Sequence, residues 1–139
     1  MTSPMPVPAA SAELVRAGLQ ALNAGDADGC LALMAPDFII NLAELPEPRR
    51  GHAAWRQGFE LIRSAFPDLH ASIEDIVTDG DKVAVRLRLR GTHSGEFLGM
   101  PPAGRAVEYV SHEFYRIAGG LIAEEWICSD LATLLRQLS

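Results

Sequence analysis

The sequence has few of the residues that build metal centres or disulfide frameworks. It contains two cysteines, Cys30 and Cys128, and four histidines among 139 residues. No His-x-His or His-Glu-x-x-His pair occurs, and two isolated thiols cannot form a disulfide framework. Glycine-rich nucleotide loops and the Gly-x-Ser-x-Gly nucleophile motif are missing as well. We therefore expect two reduced thiols, no metal ion and no other cofactor.

Long apolar runs and clusters of basic residues are also absent. No stretch is long and apolar enough to span a bilayer, and the first ten residues lack the basic and apolar regions of a signal peptide. The net charge is −6, and an acidic chain without a Lys/Arg cluster is poorly suited to binding a phosphate backbone. The sequence thus predicts a cytoplasmic protein with no membrane or nucleic-acid partner.

What the sequence does contain is a change of hydrophobic period near its middle. Apolar residues at helical spacing predict helices over residues 11–25, 26–36 and 52–66, after a flexible tail of residues 1–10. From Leu69 onward the period becomes two, which is typical of strands. The predicted strands are residues 37–42, 71–78, 82–92, 106–117 and 121–130, and a short helix follows over residues 131–138.

Helices followed by a meander of long strands is the α+β pattern. Because no helix lies between the later strands, the sheet cannot be a doubly wound parallel one. We predict a single domain over residues 11–139, in which a strongly curved antiparallel sheet packs on the three N-terminal helices. Long strands over few helices make a cone whose open end is a pocket.

One segment, Gly91–Arg105, carries a family resemblance. It reads Gly-Thr-His-Ser-Gly-Glu-Phe-Leu-Gly-Met-Pro-Pro-Ala-Gly-Arg and resembles the GTHxGxFxGxPPTGR signature of SnoaL-like polyketide cyclases, also called ester cyclases. Downstream, Tyr115–Ile117, Gly120–Trp126 and Leu134–Leu138 resemble the closing pattern of that family. The resemblance covers roughly residues 10–138. It implies the cone-shaped nuclear transport factor 2-like fold and a homodimer.

The resemblance also implies a reaction. In the better-known cyclases of the family, an acid/base residue in the cone closes a polyketide ring by an intramolecular aldol reaction, without metal or cofactor. That residue is an aspartate directly after the tryptophan of the last strand, and Ile127 stands there in this chain. The ligand implied is a small apolar or aromatic carbonyl compound, but the acid/base group must come from elsewhere.

Strand alternation suggests Glu113 as the replacement. If the Ile127 face looks into the cone, as the resemblance implies, Glu113 is the interior carboxylate. Burial raises the pKa of a carboxyl group, which suits a general acid or base near a carbonyl. The residues that share this face are Ser111, Glu113, Tyr115, Ala123, Glu125, Ile127 and Ser129.

Several candidate catalytic residues have competing interpretations. Glu113 could instead be a surface charge paired with Arg86 or Arg88. His112 lies on the opposite face and would be catalytic only if a β-bulge turned it inward. Asp130 either caps the final helix or takes part in catalysis.

Candidate substrate-binding residues come from the helix that covers the cone and from the strands. The helix offers aromatic side chains that can serve both the core and the pocket, and the first strand ends in a polar residue. The candidates are Asn41, Trp55, Phe59, Phe66, Tyr115 and Ile127.

These observations favour a cofactor-independent cyclase or isomerase that moves protons on a small apolar carbonyl compound. A noncatalytic ligand-binding or dimerisation module of the same fold is the alternative. An epoxide hydrolase would need an Asp–Arg–Asp set in the cone, for which Arg86, Arg88 and Arg90 are available. Large apolar residues on both faces of the last hairpin predict a homodimer through the sheet. The loop over residues 93–105 is expected to cover the cone mouth or the partner.

Overall fold

The computed structural model describes residues 7–139, with side chains from residue 10 onward. The predicted tail over residues 1–10 therefore lies partly outside the described residues, and the first helix begins upstream of Ser11. In chain order the elements are α1 (Val7–Asn23), α2 (Ala27–Leu31), β1 (Met34–Leu42), β2 (Arg49–Arg50), α3 (Gly51–Ala65), β3 (His70–Asp79), β4 (Lys82–Thr92), β5 (Ala106–Ala118), β6 (Leu121–Ser129) and α4 (Leu131–Leu138).

The six strands form one curved sheet in the order β2-β1-β6-β5-β4-β3. The α+β class with a curved, mainly antiparallel sheet is confirmed, and one strand pair departs from the antiparallel arrangement. Strand β1 runs parallel to β6, with Asn41 opposite Trp126 and Leu42 opposite Ile127. The first strand thus joins the last one, and everything between them serves as the long crossover that a parallel pair requires.

The region between α2 and α3 differs from its prediction. Asp26 caps α2 by accepting a hydrogen bond from the Gly29 N–H at 2.9 Å, but the helix ends at Leu31. Met34 already belongs to β1, and Pro36 lies where the pairing of β1 with β6 is irregular, a position that tolerates a missing N–H. The two-residue strand β2, expected as loop, pairs with β1 at the sheet edge.

The core lies between the helices and one face of the sheet, which we call the inner face. Phe38, Phe66, Leu87 and Leu134 are fully buried there, and each such side chain contributes roughly 1.5–3 kcal/mol by leaving water. The opposite, outer face has no helix over it among the described residues. Its arginines Arg86, Arg88 and Arg90 form ion pairs with Glu74, Asp75 and Glu108.

The hairpin of β5 and β6 positions the site. Gly119 and Gly120 join the strands with φ angles of 59° and 76°, which suit a tight turn that follows the sheet twist. The register shifts between Arg116 and Ile117. This bulge turns Ile122 inward, where it is 2% exposed, whereas uninterrupted alternation with Glu124 would place it on the outer face.

The loop over residues 93–105 packs against the end of α3. The N–H groups of Ser94 and Gly95 both donate to the Ala65 carbonyl, at 2.9 and 3.1 Å. Phe97 meets Phe66 edge-on, with ring centroids 5.3 Å apart. These contacts attach the loop to the end of α3, and none of its residues is among those that line the cavity described below. None of the described helices is long and apolar enough to cross a membrane.

Candidate active site

A largely apolar cavity of about 210 Å³ lies between α1, α3 and the inner face of the sheet. Helix α1 contributes Val15, Leu19 and Leu22 to its wall. Helix α3 contributes Trp55 and Phe59, whose rings stack with centroids 5.1 Å apart and planes at 21°. This pair gives the cavity a flat aromatic wall, which suits a planar or cyclic ligand.

Charged side chains are few in this apolar space. Among the described residues, those lining the cavity are Arg49, Glu113 and Glu125. Both glutamates are nearly buried, with 8% and 7% of their surface exposed. Buried carboxyl groups without a cation beside them are uncommon in stable cores, so they mark this end of the cavity as a functional site.

Glu113 is held by two hydroxyl donors on its own strand. The Ser111 hydroxyl donates to Oε2 at 2.8 Å, and the Tyr115 hydroxyl donates to Oε1 at 2.5 Å. Residues two apart on a strand share a face, which brings all three side chains together. Burial raises the pKa of the Glu113 carboxyl, and these two hydrogen bonds offset part of that rise by stabilising the carboxylate.

Glu125 faces Tyr115 across the β5–β6 pair. Burial, followed by the charge of Glu113, raises the pKa of Glu125 to about 8, and a hydrogen bond with the Tyr115 hydroxyl lowers it in part. At neutral pH Glu125 is therefore mainly protonated. Glu113, with its two donors, is the member of the pair that ionises first. Such an arrangement supplies one general acid and one general base at the same pH.

Tyr115 is the neutral link between the two carboxyl groups. Burial, and then the nearby Glu113, raise the pKa of its phenol well above the ordinary value. The phenol therefore keeps its proton at all physiological pH values. Its oxygen can accept a hydrogen bond from protonated Glu125 while its proton is donated to Glu113.

The cavity is also lined by the thiol of Cys30. Cys30 is 2% exposed, and its Sγ lies 3.6 Å from the Gly18 carbonyl oxygen. Burial raises the pKa of the thiol to about 11, so Cys30 is not a nucleophile at neutral pH. Among residues 7–139, no group of three His, Cys, Asp or Glu side chains is arranged to hold a metal ion.

Five of the predicted site residues come together in the cavity, but two of the predicted binding residues do not. Phe66 is fully buried against His93 and Phe97 beyond the cavity. Asn41 donates to Glu124 Oε2 at 3.0 Å and to the Glu125 carbonyl at 3.1 Å. Neither side chain therefore lines the cavity. The five that line the cavity are Trp55, Phe59, Glu113, Tyr115 and Ile127.

The other two candidate catalytic residues lie away from the cavity. His112 is exposed on the outer face, since the β4–β5 register is regular around it and no bulge turns it inward. Asp130 caps α4, accepting from the Thr133 N–H at 3.2 Å and from its hydroxyl at 2.6 Å. These bonds lower the pKa of Asp130. The capping interpretation of Asp130 fits this geometry.

Sequence reasoning missed Glu125 and Arg49 as site residues. Alternation did place Glu125 on the same face as Ile127, but no feature of the sequence indicated that its carboxyl group is buried. Arg49 lies between the predicted strand 37–42 and the predicted helix 52–66, so no facing side could be deduced for it. The outer-face arginines, considered for an epoxide hydrolase, face away from the cavity, and no aspartate is among the described residues that line it.

Comparison with known proteins agrees with this architecture. The solved structure of IdmH from Streptomyces antibioticus superimposes with a TM-score of 0.82 at 38% identity, covering 92% of this chain and 97% of that one. Nogalonic acid methyl ester cyclase of Streptomyces nogalater is 30% identical over 86% of this chain and 90% of its own length. Aklanonic acid methyl ester cyclase DauD of Streptomyces sp. (strain C5) is 29% identical over 91% and 80%.

The family comparison covers nearly the whole domain. The model of the SnoaL-like polyketide cyclases matches residues 12–138, which includes every element that lines the cavity except the start of α1. The nuclear transport factor 2-like fold of that family explains the curved sheet and the position of the cavity. The chain belongs to the SnoaL-like polyketide cyclase family.

Proposed function

We propose that this chain is a cofactor-independent cyclase that closes a ring in a small, largely apolar carbonyl compound by an intramolecular aldol reaction. The observation that carries the proposal is the buried cluster of Glu113, Tyr115 and Glu125 at the wall of an apolar cavity. A cavity that merely stored a ligand would gain nothing from two buried carboxyl groups, since burying them disfavours folding. The curated relatives are named as cyclases, which agrees with this reaction class.

In the proposed reaction the two glutamates have opposite roles. Ionised Glu113 removes a proton from the carbon between two carbonyl groups, and the resulting enolate carbon attacks a second carbonyl of the same molecule. Protonated Glu125 donates its proton to the oxygen of that carbonyl as the carbon–carbon bond forms. One proton leaves carbon, one arrives on oxygen, and neither a redox partner nor a leaving group is required.

The Tyr115 hydroxyl can restore the starting state. After ring closure Glu113 carries a proton and Glu125 does not. Tyr115 then passes its own proton to Glu125 and takes one from Glu113, because its hydroxyl bonds to Glu113 and Glu125 lies opposite it on the neighbouring strand. This relay regenerates the enzyme without bulk water entering the cavity.

Substitution of the proposed base tests the reaction. Glu113→Gln keeps the shape of the side chain but removes the basic oxygen, so turnover should fall by about 10²- to 10⁴-fold with little change in ligand affinity. The assay should begin with aklanonic and nogalonic acids and with their methyl esters, because the relatives are named for the esters. Asp130→Asn is the control, since asparagine caps a helix nearly as well and the rate should not change.

The outcomes separate the competing functions. Wild-type turnover should decline as the pH rises through about 8, where Glu125 loses its proton, and Glu125→Gln should lack that decline. If wild-type protein binds ligands but turns over none of them, the noncatalytic binding module is the correct interpretation. If Glu113→Gln retains full activity, the acid–base roles assigned above are wrong.

A further inference from the structure

Strand pairing aligns Arg49, the third charged side chain of the cavity, with the acid pair. Arg49 lies opposite Ile40, Ile40 opposite Glu125, and Glu125 opposite Tyr115. Residues in one such row have side chains on the same face of the sheet. Because neighbouring strands lie about 4.8 Å apart, the backbones of Arg49 and Glu125 are separated by about 10 Å. Arg49 therefore lies at the β2 edge of the cavity and faces the same space as the glutamates.

The contacts of the Arg49 guanidinium leave it able to bind a ligand. Its Nη2 donates to Gln57 Oε1 on α3 at 2.6 Å, which fixes the side chain against the helix. Among residues 7–139 it forms no ion pair with a carboxylate, whereas Arg86, Arg88 and Arg116 of the same sheet each do. A half-buried cation at an apolar wall, without a protein anion beside it, is well suited to an anion from outside.

We propose that Arg49 determines substrate specificity by binding a carboxylate of the ligand, so that the cavity takes an aromatic or polyketide acid. The apolar body of the ligand would pack on Trp55 and Phe59, and its reacting carbonyl would point toward Glu113 and Glu125. The guanidinium can bind both carboxylate oxygens at once, and the apolar wall strengthens that contact by excluding water. The positive charge also offsets the repulsion that an anion would meet from ionised Glu113.

The placement of the reacting carbonyl rests on the cyclase function proposed above, but the carboxylate contact does not. A binding experiment without turnover therefore tests it separately. Suitable probes are 2-naphthoate and methyl 2-naphthoate, which share an aromatic body and differ in charge. Calorimetric titration at pH 7 compares wild-type protein with Arg49→Gln, Arg49→Lys and Arg50→Gln. Arg50 is the matched control, because it is the adjacent arginine, is exposed and does not line the cavity.

Wild-type protein should bind the acid more tightly than the ester. Arg49→Gln should weaken binding of the acid by about tenfold or more, as expected for a lost charge-assisted contact, and leave the ester within about twofold. Arg49→Lys should restore part of the affinity, and Arg50→Gln should match wild type. Unchanged ester binding by Arg49→Gln also establishes that the cavity is intact in that variant.

Three results would overturn the proposal. Wild-type protein could fail to prefer the acid, Arg49→Gln could weaken acid and ester equally, or Arg50→Gln could have the same effect as Arg49→Gln. Acid selectivity that depends on Arg49, together with full turnover by Glu113→Gln, would sustain this proposal and reject the acid–base mechanism. Loss of turnover in Glu113→Gln without any acid selectivity would reject the Arg49 proposal and sustain the acid–base mechanism.

Discussion

The carboxyl groups of Glu113 and Glu125 and the phenol of Tyr115 form a buried cluster. The cost of burying this cluster can be traced to single residues. Ser111 and Tyr115 supply donors to Glu113, while Glu125 lies beside the same phenol. In the unfolded chain both carboxyl groups are hydrated and ionise near 4.5. Folding removes that hydration, so the pair that the proposed chemistry requires also lowers the stability of the fold at neutral pH.

Glu125→Gln should make the fold more stable, and the gain should depend on pH. The folded pKa of Glu125 is about 8 against 4.5 for the unfolded chain, so between these values the folded state binds more protons. The free energy of unfolding of the wild type should therefore fall as the pH rises from 4.5 to 8, by up to a few kcal/mol, since one pKa unit corresponds to about 1.4 kcal/mol.

Urea denaturation of the wild type and Glu125→Gln across that pH range measures the difference. The urea midpoint of the variant should change less with pH than that of the wild type. The variant's midpoint should exceed the wild-type midpoint by more at pH 8 than at pH 5. Glu60→Gln, on an exposed part of α3, is the control and should reproduce the wild-type slope. Parallel profiles for the wild type and Glu125→Gln would mean that Glu125 does not bind its proton as described.

Alternation placed Glu113 on the same face as Ile127, because side chains along a strand have a period of two residues and no bulge intervenes at that position. The family resemblance was needed to choose that face as the inner one. Burial was harder to predict. Glu125 and Glu124 are adjacent residues of the same type, yet one lines the cavity and the other pairs with Arg116 on the outer face. The amide of Asn41 bonds to Glu124 on the neighbouring strand and does not line the cavity. That contact is set by the pairing of β1 with β6, which the sequence pattern did not predict.

At the scale of elements, the boundaries that failed were those set by distant partners. Local rules predict that Pro36 ends a helix. It lies in a strand instead, because the segment around it pairs with β6. The two-residue β2 has no signal of its own and exists through its pairing with β1. Long periodic segments such as α3, β4 and β5 followed their predictions, because burial of one face reinforces their local preference.

The loop over residues 93–105 should depend strongly on one glycine. A Cβ at Gly95 would lie 2.2 Å from the Ser64 carbonyl oxygen, and the backbone there cannot move without breaking the two hydrogen bonds to Ala65. Gly95→Ala should therefore cost about 2 kcal/mol or more of stability. Thermal denaturation measures the loss. Ser94→Ala removes an exposed hydroxyl and its 3.3 Å hydrogen bond to the Thr92 carbonyl oxygen, and it should stay near wild type because that bond is open to water. A Gly95→Ala protein as stable as wild type would contradict the close packing of this loop on α3.

At the scale of the whole molecule, the outer face of the sheet carries an apolar row between charged ones. Val77, Ala84, Phe114 and Trp126 lie opposite one another across four strands. Phe114 is 51% and Val77 63% exposed. Apolar side chains aligned in this way are unusual on a monomer surface. We propose that a second copy of the chain covers this row.

Phe114→Asp should convert a dimer of this kind into monomers, because it places a charge at the centre of the apolar row. Sedimentation velocity at micromolar concentration should give twice the mass of one chain for the wild type and one mass for the variant. Leu61→Asp is the matched control, since Leu61 is 65% exposed on α3 and lies on the helical side of the molecule. A monomeric wild type, or equal effects of both variants, would reject the sheet-mediated dimer.

The two thiols of the chain differ in their accessibility to reagents, because Cys30 is buried and Cys128 is exposed. Cys30 is enclosed in the cavity and keeps its proton, with a pKa of about 11, whereas Cys128 is exposed on the outer face, in the row next to Phe114 and Trp126. A maleimide dye should therefore attach at Cys128 alone, without any engineered cysteine. If two copies meet at the outer face, the rate of attachment should fall as the protein concentration rises. Cys128 of the native sequence can therefore be used to monitor dimer formation.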